Sequence, residues 1–118
     1  LHGQPQLSQG EAMKRMRQVK PEQVLADVLS AIESGKKDEY CNGSVLLLGV
    51  CFGGQFVFQA ASETNVQGLA SWHGGNLLPV LKPASLKDLH IEMDFGESDP
   101  LIPLTQVQKI QNLLQELE

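Results

Sequence analysis

The chain has 118 residues, 42% of them hydrophobic and 19% charged, with a formal net charge of −5. That size and balance suit one soluble domain, or part of one. Its nine lysines and arginines form no long basic block, which argues against nucleic acid and anionic membrane as partners, and no apolar run approaches the length of a membrane span.

Residues 1–10 hold Gly, Pro, Gln and Ser without periodicity and read as a loop or frayed terminus, with no charged-then-apolar leader pattern. Residues 11–20 place Met13 and Met16 on one side among basic residues, which gives a short helix. Pro21 opens a clearer one. Val24, Leu25, Val28, Leu29 and Ile32 follow helical spacing, and Gly35 with Lys36 and Lys37 supplies the stop. After a polar loop over 38–43, the apolar run 45–48 ends at Gly49 and reads as a strand buried on both faces. A helix follows over 53–63, where Phe52, Phe56 and Ala60 recur every four residues and the double glycine Gly53-Gly54 lets the helix press on the sheet.

Residues 66–72 read as a second strand that ends at His73-Gly74-Gly75, and 76–85 as a loop with two prolines. In 89–95, Ile91, Met93 and Phe95 alternate with His90, Glu92 and Asp94, the pattern of a third strand. Pro103 starts a last helix with an apolar face of Leu104, Val107, Ile110, Leu114 and Leu117. Strands separated by helices or long crossovers imply a parallel sheet of the α/β class. In such sheets ligands sit at the carboxyl ends of the strands, where Cys51, His73 and Asp99 all fall.

The most informative stretch runs from Gly49 to Gly54. Gly49 and Gly53 flank Cys51, the spacing of a strained strand-to-helix turn that lifts a nucleophile above the sheet. The helix N-terminus beside it favours negative charge and hence a thiolate. A dinucleotide loop fits poorly, because Cys51 stands where its second glycine belongs. A phosphate-binding P-loop fits Gly49 and Gly54 but has Gln55 and Phe56 in place of its lysine and hydroxyl. A buried structural cysteine after a core strand remains the bland alternative. Cys41 and Cys51 lie near opposite ends of the first strand, beyond the roughly 7 Å Cα separation a disulfide allows. That points to a reduced, cytoplasmic protein.

Gly49-Val-Cys51-Phe-Gly53-Gly54 resembles the Gly-x-Cys-x-Gly-Gly elbow of the dienelactone hydrolases, a branch of the α/β-hydrolase fold. Phe95-Gly-Glu-Ser-Asp99-Pro-Leu-Ile-Pro103 is similar to that family's segment bearing the triad acid, and Ser71-Trp-His73-Gly74 to its pocket-lining loop. The resemblance runs from Glu22 to Glu118. It implies a single, incomplete α/β-hydrolase domain with a parallel sheet of about three strands, by its likeness to half of that fold. It also implies Cys51 as nucleophile, Asp99 orienting a histidine, the Phe52 N–H as half of an oxyanion hole, and His73 lining the pocket. The implied reaction is hydrolysis of an ester or lactone through an acyl-enzyme, with no cofactor and no metal.

The family's catalytic histidine lies downstream of the last helix, and no residue of this sequence occupies that position. His73 follows the second strand and is placed for pocket lining; His90 sits at the far end of the third strand, and His2 in the terminus. The expectation is a hydrolase impaired in this chain. The alternative is a non-catalytic binding or assembly module, self-associating through the sheet edges and apolar faces that half a fold exposes.

Overall fold

A computed structural model describes residues 8–116. Three strands, β1 (Leu46–Val50), β2 (Gly68–Trp72) and β3 (His90–Asp94), form a parallel sheet in that order. Four helices accompany them: α1 (Gln9–Gln18), α2 (Pro21–Lys36), α3 (Gly54–Glu63) and α4 (Leu104–Gln115). Among the described residues no helix is long and apolar enough to cross a membrane. The α/β expectation is met: three parallel strands of five residues, separated by α3 and by a long crossover over residues 73–89.

The register Leu47↔Leu69↔Ile91 and Gly49↔Ser71↔Met93 sets these six residues in two rows across one face. That face looks onto a core of Ile32 from α2, Val57, Phe58, Ala60 and Ala61 from α3, Leu77, Leu81 and Leu86 from the crossover, and Ile110 from α4. The packing stripe read from the sequence is real: Phe56 and Ala60 are buried and Phe52 half-buried, its ring edge-on to Phe56 at 5.1 Å.

The other face corrects one expectation. Residues 45–48 were read as buried on both sides, yet Leu46 is 76% exposed, Leu48 55% and Val50 46%. β1 is an edge strand, and all four helices leave the face of Leu46, Leu48, Val50, Ala70 and Trp72 uncovered. An unbroken apolar run cannot distinguish a strand with two covered faces from one whose second cover is absent.

Two helix ends also differ from the sequence reading. α1 starts at Gln9, inside the stretch read as loop, because Ser8 Oγ accepts the Glu11 N–H at 3.2 Å and donates to Glu11 Oε2 at 2.9 Å. This is the side-chain exchange of an N-terminal cap, signalled by a Ser followed three residues later by Glu. In α4, Leu104 is 53% exposed and stands off the apolar stripe of buried Ile110 and half-buried Val107 and Leu114; Leu117 lies outside the described residues.

Candidate active site

The turn after β1 is the most constrained part of the chain. Val50 is still extended, with φ −114°. Cys51 then reverses to φ +52°, the left-handed region that costs a residue with a β-carbon about 1–2 kcal/mol. A 3-10 turn over Cys51–Gly53 leads straight into α3. The reversal throws the Cys51 side chain out of the sheet, and the residue is exposed. The bland expectation of a buried structural cysteine therefore does not describe Cys51.

Two glycines make the turn geometrically possible. A β-carbon on Gly49 would stand 2.5 Å from the Gly53 carbonyl oxygen, and one on Gly54 would stand 2.6 Å from Gly74 Cα. Gly53 faces open space. So the glycine directly after Cys51-Phe52 is not demanded by crowding, whereas Gly49 and Gly54 are. The 3-10 turn supplies an acceptor for the Gly54 N–H, the Cys51 carbonyl, while the Phe52 N–H lies at the very start of that turn. α3 begins with no side-chain cap, which leaves that end available to an anion.

β2 ends in a second reversal. Trp72 pairs with Val50, and the next residue, His73, has φ +38°. Cys51 and His73 thus stand side by side at the carboxyl edge of neighbouring strands. The His73 N–H donates to the Asp94 carbonyl at 2.7 Å, which ties this loop to β3. The Cys51 and His73 side chains share no hydrogen bond, and the His73 ring is exposed. His90 pairs with Gly68 at the opposite end of the sheet and is exposed; His2 lies outside the described residues.

Asp99 follows β3 in the loop before α4 and is half-buried. Its Oδ1 accepts the Leu101 N–H at 2.8 Å and the Ile102 N–H at 3.3 Å. One carboxylate oxygen therefore holds the turn, and no hydrogen bond reaches the other. β1 and β3 are separated by β2, so the strand ends that lead to Cys51 and to the Asp99 loop lie about 10 Å apart, twice the interstrand spacing. A group bridging them must span the end of β2, where His73 and Gly74 lie. Among the described residues no cluster of three His, Cys, Asp or Glu side chains could hold a metal.

One residue of this edge enters the sequence reading only within the Ser71-Trp-His73-Gly74 segment, with no role of its own. Ser71 is fully buried, and its hydroxyl has no hydrogen-bond partner. It occupies an inward position in an otherwise apolar strand. A polar residue at the inward phase of a two-residue period is the sign that could have singled it out.

The sequence profile of the dienelactone hydrolase family matches residues 3–117. The chain is also similar to a carboxymethylenebutenolidase from Pseudomonas sp. (strain P51), 23% identical over 107 residues that make up 91% of this chain and 45% of that relative. It thus spans less than half the length of the relative it matches.

Proposed function

The chain belongs to the dienelactone hydrolase family and has part of an α/β-hydrolase fold, and on that premise we propose that it forms the nucleophile-bearing part of a hydrolase that cleaves an ester or lactone. Cys51 is the nucleophile on its elbow. The thiolate adds to the substrate carbonyl, the C–O bond to the alcohol breaks, and water releases the acid from the thioester. The Phe52 N–H faces the developing oxyanion, and the free oxygen of Asp99 receives an imidazole N–H. The Pseudomonas relative's printed name, carboxymethylenebutenolidase, directs the choice of substrate class to unsaturated lactones.

The observation that carries this reading is the exposed Cys51 held at φ +52° between β1 and α3. Strain of that kind persists where the surrounding structure has a use for it. Two free cysteines also fit the reducing setting of the cytoplasm. The 118-residue chain alone should turn over slowly, because no described histidine meets Asp99 and the triad acts as a unit.

Acylation can be separated from turnover. Mixing the chain with an activated aryl ester should release about one equivalent of phenolate as Cys51 is acylated, followed by slow release of the acid. Mass spectrometry should find the acyl group on Cys51. No burst in a folded sample, or acylation spread equally over Cys41 and Cys51, would refute the nucleophile assignment.

A second reading has its own support. Leu46, Leu48, Val50 and Trp72 form an open apolar surface on the uncovered sheet face, and such a patch calls for a partner. Under this reading the chain is an assembly module that pairs with a second copy. Light scattering decides: a mass above that of one chain, reduced to one chain by Leu46→Thr with Leu48→Thr, supports it, and a monomeric wild-type chain excludes it.

A further inference from the structure

The turn carrying Cys51 and the loop carrying His73 meet at Gly54, Gly74 and one small side chain, Ser71. A β-carbon on Gly54 would stand 2.5 Å from Ser71 Oγ, and one on Gly74 would fall closer still to the same oxygen. The two glycines are also close to each other: a β-carbon on Gly74 would lie 3.3 Å from Gly54 Cα. All three residues are buried. Gly54 begins α3, three residues after Cys51, and Gly74 directly follows His73. Ser71 itself sits level with Gly49, whose own face is closed by Gly53 and Gly54. Gly49, Gly54 and Gly74 leave no slack, so the volume of the residue at position 71 bears on how far α3's first turn stands from the end of β2.

The hydroxyl makes this position costly. It is sealed from water and unpaired, the arrangement native proteins avoid unless it serves something else. Alanine would remove the orphan oxygen; threonine, which strands accept readily, would add a methyl to a site already hemmed in by Gly54 and Gly74.

We propose that Ser71 is a positioning residue: wedged between Gly54 and Gly74, it fixes the spacing between the Cys51 turn and the His73 loop and so the way Cys51 is presented at the sheet edge. In its bearing on catalysis this rests on Cys51 being the nucleophile. As a statement about spacing it does not.

Two measurements on the full chain separate those parts. The first is haloacetamide labelling of Cys51 relative to Cys41, a reference thiol on the loop before β1 at the other end of the sheet. Ser71→Thr should lower the Cys51-to-Cys41 ratio by at least about fivefold while Cys41 labels at its former rate and the helical signal is kept. General destabilisation would move both thiols together. The second measurement uses a chain with Cys41→Ser and His73→Cys, in which oxidation joins positions 51 and 73. Disulfide closure depends steeply on Cα and Cβ geometry, so Ser71→Thr should slow it by at least about fivefold.

Where Ser71→Thr does not fold, Ser71→Ala takes its place, with a change in either readout of at least about threefold expected. Wild-type Cys51 labelling no faster than Cys41 would sink the nucleophile reading alone, and the cross-linking rate would then judge the spacing. A closure rate that stays within about twofold in a folded Ser71 variant overturns the proposal.

Discussion

Cys51 and His73 each stand one residue beyond the paired strand ends Val50 and Trp72, and both turn left-handed there, at φ +52° and +38°. The two strands therefore deliver their first non-sheet residues to one edge by the same reversal. A left-handed residue with a β-carbon is uncommon, and two on adjacent strands mark this edge as the place where the fold accepts strain.

That strain is measurable at Cys51. Cys51→Gly should raise stability by about 0.5–1 kcal/mol, because glycine enters the left-handed region without penalty. Cys51→Val should lower it by about 1–2 kcal/mol, since a β-branched chain fits that region worst. Urea unfolding followed by circular dichroism measures both. Equal stability of the two variants would mean that the turn relaxes in solution.

The three neighbouring glycines should not behave alike. Gly53 faces open space with φ −68°, so Gly53→Ala should be neutral or stabilising by about 0.4–1 kcal/mol. Gly49→Ala and Gly54→Ala would press a methyl group on backbone atoms and should each cost about 1–3 kcal/mol or prevent folding. The comparison needs only thermal melts. A Gly53→Ala chain less stable than Gly54→Ala would contradict the packing described.

Asp99 offers a test of its turn. Asp99→Ala removes the acceptor for the Leu101 and Ile102 N–H groups and should cost about 1–2 kcal/mol, whereas Asp99→Asn keeps an oxygen there and should cost less than about 1 kcal/mol. Chemical denaturation ranks the two. If Asn proves as damaging as Ala, the negative charge rather than the turn is what the loop requires.

Acid should loosen the join between α2 and α3. Lys36 Nζ donates to Glu33 Oε1 at 3.2 Å and to Thr64 Oγ1 at 3.1 Å, and Thr64 Oγ1 donates to Glu33 Oε1 at 3.1 Å. The hydrogen bond from Lys36, then that from Thr64, holds the Glu33 carboxyl below its ordinary value of 4.5. A carboxylate lowered on folding adds stability that is fully present above its unfolded value and is lost as pH falls through the lower folded value. Wild type should therefore exceed Glu33→Gln in melting temperature at pH 7, and the gap should close on acidification below 4.5. A gap that persists at low pH would assign the effect to packing. The contribution is modest, since Glu33 is solvent-exposed.

Much of the architecture was already written in the order of residues. Val24, Leu25, Val28, Leu29 and Ile32 repeat at helical spacing, and Ile91, Met93 and Phe95 at strand spacing; these periods follow from local geometry and need no knowledge of neighbours. The glycines around Cys51 announced a turn for the same reason, because φ preference is a property of single residues. Three things depended on the assembled fold. Whether Leu46 and Leu48 are covered is decided by which helices cross the sheet, and α2, α3 and α4 pack on the other side. Asp99 spends one oxygen on its own loop, a choice settled by two N–H groups brought round by the turn. Ser71 was named in the sequence only as part of a loop motif; that its hydroxyl is sealed and unpaired was decided when Gly54 and Gly74, distant along the chain, closed over it. Local patterns fix what each segment can be; burial and contact are relations between segments, and no segment carries them alone.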